Sequence, residues 1–142
     1  MKKIIVFFVI IIAFLGMIWY IYEEAKISQN EKIAYNNNFE KLLNKSITGT
    51  DLATIINKAE ENNKKNDIEK NNAGIYIDNG KNSMNIELKF IDNDSIIKAE
   101  KLVQNDISRF IDLYNTSKFE LKKINYHEKT NFVKYLYFEE IN

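Results

Sequence analysis

Residues 131–141 read "NFVKYLYFEEI", and the character of this run decides the fold. Phe132, Val133, Tyr135, Leu136, Tyr137 and Phe138 make it apolar on both faces, the pattern of a strand with neighbours on each side. It is therefore the expected centre of a sheet. Just before it, "KFELKKINYHE" (118–128) carries Phe119 and Leu121 in one alternating phase and Ile124 and Tyr126 in the other. That change of phase predicts a bulge near Lys122 or Lys123. Further back, "IYIDNGKNSMNIELKFI" (75–91) places an Asn79-Gly80 turn signal between two candidate strands. In the second of them Met84, Ile86, Leu88 and Phe90 point one way and Asn85, Glu87 and Lys89 the other, so one face of the sheet is buried. Between the two pairs of strands, "DNDSIIKAEKLVQNDISRFIDLYN" (92–115) reads as a helix capped by Asp94 or Ser95, with Ala99, Val103, Phe110 and Tyr114 at helical spacing.

Upstream, "SITGTDL" (46–52) is a small polar turn before an apolar helix. With Thr48 as N-cap, Asp51 falls at the third helical position, and Ile47 and Leu52 flank the cap as a hydrophobic staple. A carboxylate there would repel a phosphate, and the second Gly and the Lys of a P-loop are missing. The turn reads as a cap. Leu52, Ile55, Ile56 and Ala59 continue as one helical stripe to about Asn62, and "ENNKKNDIEKNNAG" (61–74) reads as a polar linker. The expected class is α+β: an N-terminal transmembrane helix and a stalk helix, then a helix and β-β-α-β-β with a mostly antiparallel sheet.

The N-terminus is of another kind. An apolar run from Ile4 to Tyr22 stands between Lys2-Lys3 and Glu23-Glu24. As a helix it reaches roughly 28 Å, close to the ~30 Å hydrocarbon core of a bilayer. Trp19, Tyr20 and Tyr22 gather at its far end, where amphipathic rings favour the headgroup level. A cleaved signal peptide would need a small-x-small site, and "WYIYEEAKIS" offers none. The basic tail predicts an N-terminus held in the cytoplasm and a single pass through the plasma membrane. The expected organisation is a cytoplasmic tail (1–3), a transmembrane helix (4–22), a stalk helix (23–45) and an extracytoplasmic α+β domain (46–142). In the stalk, Tyr35, Phe39, Leu42 and Leu43 share one face, which packs on the chain's own domain or on another helix.

"ITGTDLATIINKAEENNKKN", "FELKKINYHEKT" and "YLYFEE", in that order behind an anchor, are similar to an uncharacterised family of small single-pass membrane proteins of low-GC Gram-positive bacteria. The resemblance implies an anchored small domain and brings no catalytic residue with it. A looser architectural likeness to type IV pilin-like proteins stops at the processing site: Gly16 lies within the apolar run, and Ile21 stands where a Glu belongs.

The 20 basic and 20 acidic residues balance, so there is no basic field for nucleic acid. Arg109 is the only arginine, and there is no cysteine for a thiolate metal site or thiol catalysis. "DNDS" (92–95) fails as a calcium loop, because Ile97 and Val103 occupy the places of its Gly and Glu. His127, the one histidine, lies between Tyr126 and Glu128 in an expected hairpin turn; these three are the candidate binding residues, and the plainer reading of His127 is a polar turn residue. No catalytic residue, metal ligand or cofactor is expected.

These readings point to a membrane-tethered extracytoplasmic interaction or assembly domain without catalytic activity. Its expected partners are membrane lipid, through residues 4–22, and an envelope protein or further copies of the chain. The alternatives are a ligand-sensing or hydrolytic ectodomain around His127 and a pilin-like subunit.

Overall fold

The computed structural model describes residues 2–141; the side chains of residues 2–5 and 93–94 lie outside that description, and with them those of Lys2, Lys3, Ile4 and the expected cap Asp94. The chain divides into two compact units, Met1–Ala34 and Tyr35–Asn142. The first belongs to α1 (Lys2–Glu40). Its most apolar 18-residue window has a mean hydropathy of 2.2, with none of it buried, so it is long and apolar enough to cross a membrane. A signal sequence passes the same test. Trp19, Tyr20 and Tyr22 are all exposed.

The second unit takes in the end of α1 and then β1 (Ser46–Thr48), α2 (Gly49–Lys65), β2 (Asn85–Phe90), β3 (Asn93–Lys98), α3 (Ala99–Gln104), α4 (Ile107–Tyr114), β4 (Lys118–Tyr126) and β5 (Val133–Ile141). The strands form one sheet in the order β1-β4-β5-β2-β3. The β2–β5 ladder is parallel and the other three are antiparallel, so the fold is broadly α+β with a mostly antiparallel sheet. β5 is the central strand. On one face Leu136 and Phe138 meet Phe119, Leu121, Ile86 and Leu88, and α2 covers them with Leu52, Ala53, Ile56 and Ala59. The other face of β5 is not a second core: Tyr135 donates to Glu87 Oε2 at 2.7 Å and Tyr137 to Glu139 Oε1 at 2.9 Å, each half-buried. The β4 bulge lies between Leu121 and Lys123, where the phase change placed it, with a second irregularity at Asn125/Tyr126.

Four expectations need correction. The stalk helix, expected to reach residue 45, ends at Glu40, and Asn44 then turns the chain at φ 57°. The three asparagines 36–38 lie within α1, and Asn36 is used by the domain: it donates to Asn131 O at 2.7 Å and accepts from Val133 N at 3.1 Å. Tyr35, Phe39 and Leu42 pack on the domain's own core.

The first candidate strand, around Ile75–Asp78, is a loop with one bridge from Tyr76 to Lys70. Its true counterpart is β3, which returns directly along β2 and brings Ile97 opposite Leu88. Sheet pairing thus takes residues 93–98 from the expected helix, and the helix starts only at Ala99. It is also split. Asp106 adopts φ 72° and caps α4, its Oδ1 accepting from Ser108 N at 3.0 Å, as Asp does when it competes with a continuing helix.

Finally, the polar linker is part helix. α2 runs on to Lys65, and Asn63, 1% exposed, holds both backbone groups of Met84: its Nδ2 donates to Met84 O at 2.7 Å and its Oδ1 accepts from Met84 N at 2.8 Å. Removing that side chain strands two buried groups at the start of β2. Asn63→Ala is expected to lower stability by about 2 kcal/mol, read by urea denaturation.

Candidate functional site

His127 follows β4, and the connection to β5 folds over it: its backbone N–H donates to Phe132 O, and its carbonyl accepts from Asn131 N, both at 2.9 Å. The ring of this polar residue is turned into the fold, at 2% exposure. Nε2 lies 2.8 Å from Ser83 O and Nδ1 3.4 Å from Asp78 Oδ1. Since a carbonyl only accepts, Nε2 is the donor in the first contact.

The partners come from the loop around Asn79-Gly80, whose hydrogen bonds are dense. Asn79 Oδ1 accepts from the backbone N–H of Lys81, Asn82 and Ser83 at 2.9–3.1 Å, and Gly80 supplies the positive φ of 69°. Asp78 Oδ1 accepts from Gly80 N at 2.7 Å and from Ser83 Oγ at 3.3 Å. The Gly80 N–H foremost, with the His127 ring, Ser83 and Lys134, holds the Asp78 carboxyl below the usual aspartate range. Thr130 donates to Lys81 O and closes the far end.

Asp78, Ser83 and His127 are the residue types of a nucleophilic triad, but they are connected differently. His127 faces the carbonyl of Ser83 and not its hydroxyl, which donates to Asp78 instead. The Ser83 hydroxyl is thus engaged by the carboxylate, and the ring contacts are to Ser83 O and Asp78 Oδ1. The geometry clasps the loop to the β4–β5 connection. Outside the clasp a cavity of about 270 Å³ is lined by Asp78, His127 and Glu128 among acids and bases, and by Lys81, Lys129 and Lys134. The three candidates from the sequence separate here. Glu128 joins His127 at the cavity, whereas the Tyr126 hydroxyl donates to Glu40 Oε1 at 2.8 Å at the end of α1. Burial, and then Glu40, push that phenol up to about 12. Asp78 and Ser83 had no signal of their own in the sequence, where "DNG" read only as a hairpin turn.

A second feature is a groove of about 710 Å³ between the end of α1, β1 and α2. Half-buried Tyr35, Leu42, Ile47 and Ile55 line its floor, and exposed Asp51, Lys58, Glu61 and Lys65 follow one another along its α2 wall. At the head of that wall the Thr48 cap is complete. Asp51 N donates to Thr48 Oγ1 at 3.1 Å and Thr48 N to Asp51 Oδ2 at 3.2 Å, so the "SITGTDL" turn satisfies its own donors without an anion.

A third cluster is internal. Glu60 accepts from Lys70 at 3.1 Å and Lys64 at 3.3 Å, while Glu100, 5% exposed, leaves Oε2 without a hydrogen-bond partner. Burial pushes the Glu100 carboxyl up, so the folded chain holds that proton more tightly than the unfolded chain. Its stabilising contribution is complete below the ordinary glutamate value and is lost as pH rises through the raised folded value. Glu100→Gln keeps the shape and removes the ionisable proton. It is expected to gain about 1 kcal/mol at pH 8 and little at pH 4, as compared by chemical denaturation at both values.

No family model, curated protein or solved structure matches the chain.

Proposed function

We propose that the protein is a membrane-tethered interaction or assembly domain: α1 anchors it as a single pass with its N-terminus in the cytoplasm, and the α+β unit meets protein partners outside. The observation that carries this reading is the apolar segment of α1, which is long and apolar enough to cross a membrane and has none of its most apolar window buried. A cleavable leader needs a small-x-small site after its apolar run, and "WYIYEEAKIS" offers none. The groove beside it supports the interaction half of the reading, since it joins apolar floor to a charged rim as protein-binding surfaces do. Alkaline extraction of membranes followed by mass spectrometry tests the tether: the intact chain, Met1 included, stays in the pellet. A chain found free and beginning beyond Tyr22 would overturn it.

A second reading, a ligand-sensing ectodomain, draws on the cavity beside Asp78, His127 and Glu128. It predicts that a small acid or base shifts the His127 ring resonances at concentrations that leave the rest of the domain unmoved.

A further inference from the structure

We propose that a second copy of this chain seats in the α1–α2 groove, with the two α2 helices lying antiparallel about a two-fold axis near Lys58. The proposal rests on the assembly reading above and identifies the partner and the surface.

Its basis is the order of charges along one helix. Asp51, Lys58, Glu61 and Lys65 fall at intervals of a whole number of turns or close to it, so all four lie along one wall of the groove. The wall is acidic at its N-terminal end and basic at its C-terminal end. Reversed on itself, it sets Asp51 against Lys65 of the second copy and Lys65 against Asp51 of the second copy. The axis then passes at Lys58, which meets its own counterpart, and each Lys58 has Glu61 of the other copy one turn away to pair with. A parallel pairing would oppose like to like at all four positions, the antiparallel one only at Lys58 on the axis. An isologous two-fold contact is therefore the arrangement these charges favour.

The same alternation argues against a partner of uniform sign, since an anionic lipid surface that gained from the lysines would be repelled by Asp51 and Glu61. Asp51 stays charged near neutral pH, because its hydrogen bonds from Thr48 hold the carboxyl down. Beneath the charges, Tyr35, Leu42, Ile47 and Ile55 offer a ridge of the second copy the apolar contact that two rows of surface ion pairs lack.

The test uses the full chain in detergent micelles or nanodiscs. It contains no cysteine, so a single introduced thiol reports on its own position. Lys58→Cys should form a disulfide-linked dimer on mild oxidation, and Lys129→Cys, away from the groove, should not. Lys58→Glu or Glu61→Lys alone should weaken the dimer about tenfold by sedimentation, and the two together should restore it. The proposal is overturned if Lys58→Cys links no faster than Lys129→Cys, or if the double variant stays as weak as the singles. Self-association that ignores every charge change would keep assembly as the function and reject this groove as its seat. A chain that is monomeric throughout would reject both.

Discussion

Gly49→Ala lowers the stability of the domain by about 3 kcal/mol, against the gain of up to about 1 kcal/mol that helix propensity alone assigns to the same change. The two effects have opposite signs, so the measurement separates them. Gly49 is the first residue of α2, and a Cβ there would collide with the carbonyl oxygen and carbon of Tyr114. These are backbone atoms at the end of α4 and cannot swing aside as a side-chain tip would. Gly49 N also donates to Ser117 O at 3.0 Å, which pins α2 to the chain leaving α4. Accommodating a methyl group means separating the two helices, whose contact closes one side of the core. Thr50→Ala, one residue on and exposed, is the control and is expected to change stability by less than about 0.5 kcal/mol. Thermal and urea denaturation of both variants give the answer.

His127→Ala is expected to lower stability by about 3 kcal/mol. It leaves the carbonyl of buried Ser83 unpaired and opens a cavity the size of the ring, two losses that add. It also frees the loop around Asn79-Gly80, so amide exchange should accelerate at residues 79–83 before it does in β5. His127→Gln, which restores a donor toward Ser83 O without the fit of the ring, should recover part of the loss. Acid acts on the same clasp through Asp78. Its folded pKa is depressed, so its contribution is present above the ordinary aspartate value and is lost as pH falls through the folded one. If His127→Ala were as stable as the parent, the clasp would have no structural weight, and the cavity outside it would become the more promising site.

The parts of the fold that could be read in advance were those where one physical signal dominated. The two-faced apolarity of residues 132–138 located the central strand, and the phase change after Leu121 located the bulge. The Thr48–Asp51 pair fixed the start of α2 because capping is local chemistry. Misreadings occurred where a distant partner decided. Ile96 and Ile97 have no helical or strand periodicity of their own, and β2 claims them by pairing. Asn63 and Glu60 look like solvated linker and helix residues until Met84 and Lys70 meet them across the fold.

The candidate site was legible only in part, for the same reason. His127 could be singled out as the one imidazole, but its partners Asp78 and Ser83 lie 49 and 44 positions away in sequence and look like ordinary turn residues there. The α2 wall of the groove was hidden differently. Its four charges sit on a helix whose apolar stripe draws attention to the adjoining face, and their order acquires meaning only beside Tyr35, Leu42 and Ile47.

Lysine-directed crosslinking of the chain in its native membrane, with mass spectrometry of every linked species, separates a tethered interaction domain from an unpartnered one. A tethered interaction domain predicts that the chain is recovered from the membrane in linked complexes, through Lys41, Lys58 or Lys65 at the rim of the groove. A chain that remains unlinked at its native abundance, while other membrane proteins in the same sample crosslink, would contradict it.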